Sequence, residues 1–220
     1  MINKPERPLP SGRISLKNGK YYAYFLFLAG TICGFLISLL TNNWIPFAIV
    51  LIADVILYLY AYTLKTTPLI GNLTVAFMTG FGFVFGGFTL NNPNIIMISL
   101  YLGFFAFVMT TAREIVKDIE DIEGDKADGA KTLPILIGAK KPALLAVALI
   151  IIDCVLCPIL YYNHIFGFYY LIVIAIAVLI FLYSAFLILK SQDSATAGKV
   201  SKYLKIGMLI AFVAFIVGSI

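Results

Sequence analysis

Residues 66–112, TTPLIGNLTVAFMTGFGFVFGGFTLNNPNIIMISLYLGFFAFVMTTA, contain no Asp, Glu, Lys or Arg. The run is broken once, at Asn91-Asn92-Pro93-Asn94, where Asn and Pro favour a reversal of the chain. On each side lie about 20 predominantly apolar residues, the length a helix needs to cross the hydrocarbon core of a bilayer. The segment reads as two membrane helices joined by a tight turn.

The same reading extends outward in both directions. Apolar runs between polar breaks predict spans over residues 22–41, 44–64, 69–90, 95–112, 142–161, 165–189 and 203–220. The expected fold class is all-α, a polytopic membrane helix bundle with seven transmembrane helices in a single domain over 1–220. Composition excludes a soluble domain. Of 220 residues 61% are hydrophobic and only 12% charged, against roughly 25% charged in soluble proteins, and the mean hydropathy is +0.99. The first apolar run is too long for a signal-peptide core and lacks a small-residue cleavage site, so it is expected to stay as a span.

Cys33, Cys154 and Cys157 all fall inside apolar runs, which argues against a disulfide framework or a zinc site; the CxxC of 154–157 reads as packing. A net charge of +5 and a pI near 9.0 raise nucleic acid as a partner, but the basic residues are scattered over several loops and topology explains them better; membrane lipids and no nucleic acid are expected as partners. All sixteen Lys and Arg lie in, or within a few positions of, the loops at 1–21, 65–68, 113–141 and 190–202. The opposite loops, near Asn42-Asn43, Asn91–Asn94 and Asn163-His164, hold none. By the positive-inside rule the N-terminus and the 113–141 loop are expected in the cytoplasm, with Ile220 outside a cell membrane crossed several times.

The third span carries Gly71, Gly80, Gly82, Gly86 and Gly87, and the GxxxG spacing of Gly82 and Gly86 predicts a close helix contact, with the lining of a lipid-tail cavity as the alternative. Asp54 and Asp153 lie within spans, where a carboxylate normally faces the protein interior; neither has a partner visible in the sequence.

The chemistry concentrates at the end of the fourth span. Seven acidic residues lie between Glu114 and Asp128. At 100° per residue, Glu114, Asp118, Asp121 and Asp125 fall within roughly 60° of arc, while Glu120 and Glu123 point elsewhere. Like charges stacked this way oppose the helix unless a cation occupies them. Oxygen donors without His or Cys suit a hard ion, Mg²⁺ above zinc or copper. Magnesium takes one or two carboxylates and completes its shell from water and phosphate, so a phosphate-bearing substrate is expected. Asp118, Asp121 and Asp125 are the candidate catalytic and metal-ligating residues. Lys117 and Lys131 are candidate phosphate contacts, as is Lys126 nearby, although such a lysine is more often a membrane-flanking cation.

The run KDIEDIEGDKADGAKTLPI, residues 117–135, resembles the second aspartate-rich motif of the UbiA superfamily of intramembrane prenyltransferases. INKPERPLPSGRIS at 2–15 and LYAYTLKTTPLIGNLTVAFMTG at 59–80 are similar to the same superfamily, with IGNLTVAF, FGG and REIVKDIEDIEGD nearest to its archaeal ether-lipid branch. The resemblance implies nine helices and two facing Asp-rich motifs that hold two Mg²⁺ ions on an isoprenyl diphosphate. Asp118, Asp121 and Asp125 match the second motif. The first, of the form NDxxDxxxD, is expected directly before the INKPxRPLPSG stretch, which here begins at Ile2; the chain therefore reads as lacking the first two helices and the first motif.

In that family Lys4, Arg7 and Arg13 belong to a diphosphate or phosphate-headgroup environment, and Lys65 and Asn72 sit at matching helix ends. The implied reaction is Mg²⁺-dependent transfer of a geranylgeranyl group from geranylgeranyl diphosphate to a lipid-phosphate acceptor, geranylgeranylglyceryl phosphate. An aromatic or haem acceptor stands as an alternative on the same fold, and a cation transporter as an alternative of another class. Tyr58, Tyr60, Tyr62, Phe81, Phe83 and Phe85 are candidates for the lining of a dry reaction chamber or for ordinary packing.

Overall fold

The computed structural model describes residues 6–219. Seven helices or helix pairs among them are long and apolar enough to cross a membrane. They comprise α1 (Leu16–Thr41), α2 (Ile45–Tyr62), α3 (Ile70–Leu90), α4 (Pro93–Glu120), α7 (Lys140–Leu156) with its short continuation α8 (Ile159–Tyr162), α9 (Phe168–Lys190) and α10 (Ser194–Gly218). Two short helices, α5 (Ile122–Ala127) and α6 (Leu133–Ile137), lie between α4 and α7.

The Asn91–Asn94 turn works as its composition predicts. Asn91 closes α3 in the left-handed conformation (φ 49°), a conformation Asn tolerates. Asn92 caps α4 by accepting from the backbone N–H of Asn94 (3.0 Å), and Pro93 takes the first helical position, where its missing N–H costs nothing.

Three helices extend past their expected ends. α4 runs to Glu120 rather than 112, α10 begins at Ser194 rather than 203, and α1 begins at Leu16 rather than 22. In α4 the cause is an apolar stripe that continues beneath the charges: Phe105, Met109, Ala112, Ile115, Val116 and Ile119 are all buried. These positions recur at three and four residues, so one face stays in the core while the other carries charge. Asp193 caps α10 through the N–H of Thr196 (2.8 Å), and Ala197, Val200 and Leu204 are buried behind it.

α4 is the spine of the bundle and packs against α3, α7 and α10. Its contact with α3 is backbone on backbone. A Cβ added at Gly80 would stand 2.5 Å from the Gly103 carbonyl oxygen, and one at Gly87 would stand 2.1 Å from Ser99 Oγ. The GxxxG pair does not make this contact: nothing lies within 4 Å of a Cβ at Gly82 or Gly86. The close face of α3 is set by Gly80 and Gly87, two turns apart, while Gly82 and Gly86 fall on another face.

Asp54 meets Thr31, whose hydroxyl donates to its Oδ2 (2.7 Å) and ties α1 to α2. Cys154 and Cys157 are buried, unoxidised core residues. Next to them the buried Tyr170 hydroxyl of α9 donates to the Cys157 carbonyl (2.8 Å) where α7 ends before Pro158. Tyr170→Phe is expected to lower stability by about 1–3 kcal/mol, the cost of stranding a buried carbonyl. Thermal unfolding in detergent checks this; an unchanged midpoint would discount the bond.

Candidate active site

The expected loop over 113–141 is mostly helical. α4 carries Glu114 and Asp118, breaks at Asp121 (φ −98°, ψ 9°), and restarts as α5 with Asp125. The backbone bonds carry through the break, Asp121 N–H to Lys117 O (3.0 Å) and Asp125 N–H to Asp121 O (2.9 Å). Glu114, Asp118, Asp121 and Asp125 therefore stay on one side and line one cavity of about 270 Å³.

The opposite wall is the α2–α3 connection. Tyr60, Lys65, Thr66, Thr67, Gly71 and Asn72 line it, with Arg7 from the N-terminal segment and Asp128 and Thr132 from beyond α5. The connection is strained: Leu69 has φ 60° and ψ −41°, and the N–H of Ile70 reaches the Pro68 carbonyl (2.6 Å). Such a tight positive-φ turn is rare for a residue with a Cβ. It brings Gly71 against the Leu64 carbonyl, 2.8 Å from where a Cβ would be, and sets Asn72 facing α4.

Asn72 Nδ2 donates to Asp118 Oδ2 (2.8 Å), which fixes the orientation of that carboxylate. Glu114 accepts from Arg113 Nη1 (2.6 Å) and Lys117 Nζ (3.4 Å). Burial pushes the Asp125 carboxyl above its ordinary range, helped by Asp121 and Asp128 and opposed by Lys117 and Lys65. Its folded form thus favours the proton. The stability this group contributes is present below the usual carboxylate pKa and is lost as pH rises through the raised value. Without divalent cations, Asp125→Asn is expected to raise the unfolding midpoint at pH 7.5, with the gain shrinking toward pH 4; a gain that does not depend on pH would contradict this.

A second, mostly apolar cavity of about 380 Å³ adjoins the first, and Val75 and Glu114 line both. Its walls include Phe83, Phe105, Met109, Ile174, Phe181, Phe212 and Phe215 from α3, α4, α9 and α10. A charged shelf thus adjoins a mostly apolar chamber between helices, an arrangement suited to a substrate with an anionic head and an apolar tail.

Residues 1–216 match the UbiA prenyltransferase family. The chain belongs to that family. It is 66% identical to a digeranylgeranylglyceryl phosphate synthase of Methanobrevibacter smithii, over all of this chain and 77% of that protein. It is 53% identical to the enzyme of the same name from Methanosphaera stadtmanae, over all of this chain and 78% of that one. A solved structure concerned with digeranylgeranylglyceryl phosphate synthase in membranes matches with a TM-score of 0.78 and 41% identity, covering 99% of this chain and 75% of that one. The chain is a multi-pass membrane prenyltransferase.

UbiA enzymes generally depend on divalent metal ions, and the acidic cavity fits one in chemistry. It offers oxygen donors only, among them a carboxyl that burial and neighbouring charge hold toward its protonated form, a cost that a cation would offset. Among the described residues no three Asp, Glu, His or Cys side chains form a ready cage.

Of the residues expected from the sequence, Asp118, Asp121, Asp125, Arg7, Lys65, Asn72 and Lys117 converge on this cavity. Asn72 acts on Asp118 and Lys117 on Glu114. Arg13 is not among the lining residues; it donates to Ser11 Oγ (3.1 Å) and to the Glu6 carbonyl. Lys131 is exposed and outside the lining, and Lys4 lies outside the described residues. Of the aromatic candidates, Tyr60 lines the acidic cavity and Phe83 the apolar one, while Tyr58 and Tyr62 stack on each other at the exposed surface. Sequence reading passed over Thr132, whose buried Oγ1 has no hydrogen-bond partner, and the apolar cavity's Arg113 and Lys205.

Proposed function

We propose that this chain transfers a geranylgeranyl group from geranylgeranyl diphosphate to the glycerol hydroxyl of geranylgeranylglyceryl phosphate, with Mg²⁺ at Asp118, Asp121 and Asp125. The product carries the second ether bond of an archaeal phospholipid. The observation that carries this reading is a carboxylate-lined cavity beside a mostly apolar one, with Val75 and Glu114 common to both, and the names of the relatives support it.

When bound, the metal supplies positive charge against the leaving diphosphate. Arg7, Lys65 and Lys117 add donors to the diphosphate oxygens, and Asn72 holds the Asp118 carboxylate in the orientation that would bind the metal. The allylic carbon–oxygen bond breaks and its electron pair leaves with the diphosphate. The acceptor hydroxyl oxygen then bonds to that carbon, and its proton passes to Glu114, the carboxylate common to both cavities. The chamber's phenylalanines keep water from competing for the cation. The acidic shelf is assigned to the cytoplasmic side by the distribution of Lys and Arg.

The test is incubation of the reconstituted protein with labelled geranylgeranyl diphosphate, Mg²⁺ and either geranylgeranylglyceryl phosphate or an aromatic acceptor. Digeranylgeranylglyceryl phosphate is the expected product. A product formed only on the aromatic ring would overturn the acceptor assignment.

A further inference from the structure

Four buried side-chain atoms among the described residues have no hydrogen-bond partner, and three of them, Thr110 Oγ1, Arg113 Nε and Asp153 Oδ1, belong to residues lining the apolar cavity. Asp153 is only 3% exposed. Buried polar groups are nearly always satisfied, and of these three the Thr110 hydroxyl and the Arg113 N–H are donors available to an accepting ligand. The same cavity is lined by Lys205, which has no ion-pair partner among the described residues although it lies within a membrane span. Cations in such positions are costly and mark the path of a charged substrate.

The register of α4 and α10 puts the two cations at one level. Ser194 Oγ donates to the Glu120 carbonyl (2.6 Å), and a Cβ at Gly198 would stand 3.3 Å from Glu120 Oε1. The two helices run antiparallel from that contact. Arg113 precedes Glu120 by as many residues as Lys205 follows Gly198, about 10 Å along each axis. Arg113 lies about 7 Å below Asp118 on α4. Arg113, which also pairs with Glu114, and Lys205 thus line the apolar chamber at one level, roughly one and a half helical turns from Asp118.

A prenyl diphosphate seated on the shelf has no anion to offer there, since its charge lies on the shelf and its tail is neutral. We propose that Arg113 and Lys205, which line the chamber, bind the phosphate of the lipid acceptor. This rests on the prenyl-transfer reading above and assigns its second substrate. In a lipid of glycerol phosphate the phosphate and the free hydroxyl are neighbours. Anchoring the one on Arg113 and Lys205 delivers the other to Glu114 at the border of the two cavities.

The experiment measures binding, without donor or divalent cation, of labelled geranylgeranylglyceryl phosphate and of its dephosphorylated form to the nanodisc-reconstituted protein. The unsubstituted protein is expected to prefer the phosphorylated lipid by at least tenfold, the size of one charge-assisted contact. Lys205→Met is expected to reduce that preference about tenfold and Lys205→Arg to keep it, with the affinity for geranylgeranyl diphosphate in Mg²⁺ changed less than twofold. Arg113→Gln is expected to act as Lys205→Met does. Because Arg113 also holds Glu114, Lys205→Met and Lys205→Arg decide the matter if that variant does not fold. A preference that survives Lys205→Met, or a donor affinity that falls as far as the acceptor's, would overturn the assignment. Turnover is scored separately. Phosphate-dependent binding with no transfer product in any condition refutes the transferase reading alone, whereas product formation with no effect at Lys205 refutes this site alone.

Discussion

Asp118→Ala is expected to lower turnover by about 10²- to 10³-fold or more while membrane insertion and the unfolding midpoint stay near those of the unsubstituted protein. Asp118 lines the acidic cavity, its orientation is fixed by Asn72, and it stands with Asp121 and Asp125 where the leaving diphosphate is proposed to bind. Losing one preorganised charge contact to developing charge typically costs two to three orders of magnitude. Asn72→Leu is expected to cost less, about 10- to 100-fold, because it frees the carboxylate without removing it. The ratio of labelled product formed by the two variants checks the ranking. Equal rates for Asp118→Ala and the unsubstituted protein would remove the metal-site assignment.

The second large effect is structural. Gly80→Val is expected to destabilise the bundle by about 3 kcal/mol or more, or to prevent its assembly. A Cβ at this position would stand 2.5 Å from the Gly103 carbonyl oxygen, so the obstruction is backbone and cannot rotate away. Ordinary overpacking costs about 1–3 kcal/mol when side chains can adjust, and here they cannot. Gly82→Val serves as the control, because nothing lies within 4 Å of a Cβ there. Detergent unfolding midpoints compare them; equal losses would show that α3 does not pack on α4 through Gly80.

The spans were legible because uncharged runs of bilayer length leave few alternatives, and Asn91–Asn94 turned where its residues favour turning. The ends of α4 and α10 were not, because a hydropathy reading stops at the first charges. Ile115, Val116 and Ile119 continue the apolar stripe beneath Arg113–Glu120, and periodicity would have found them. The carboxylates were legible because they share a face of one short stretch. Glycine spacing was misleading: a GxxxG identifies a smooth face but not the face that meets a neighbour. The partner of Asp54, and the meeting of Arg113 with Lys205 at one cavity, depend on contacts between distant segments that no local pattern encodes.

The break at Asp121 has a consequence for the order of events. It keeps Asp121 and Asp125 on the side of Glu114 and Asp118, so that the carboxylates gather on one shelf. Among the residues lining the cavity, five carboxylates outnumber three cations, Arg7, Lys65 and Lys117. A bare diphosphate therefore approaches a surface that repels it, whereas a donor arriving with its counter-ions does not. Donor affinity should then depend on total divalent cation rather than on donor alone, and the discrimination should sharpen at low ionic strength, where the field of the shelf reaches furthest.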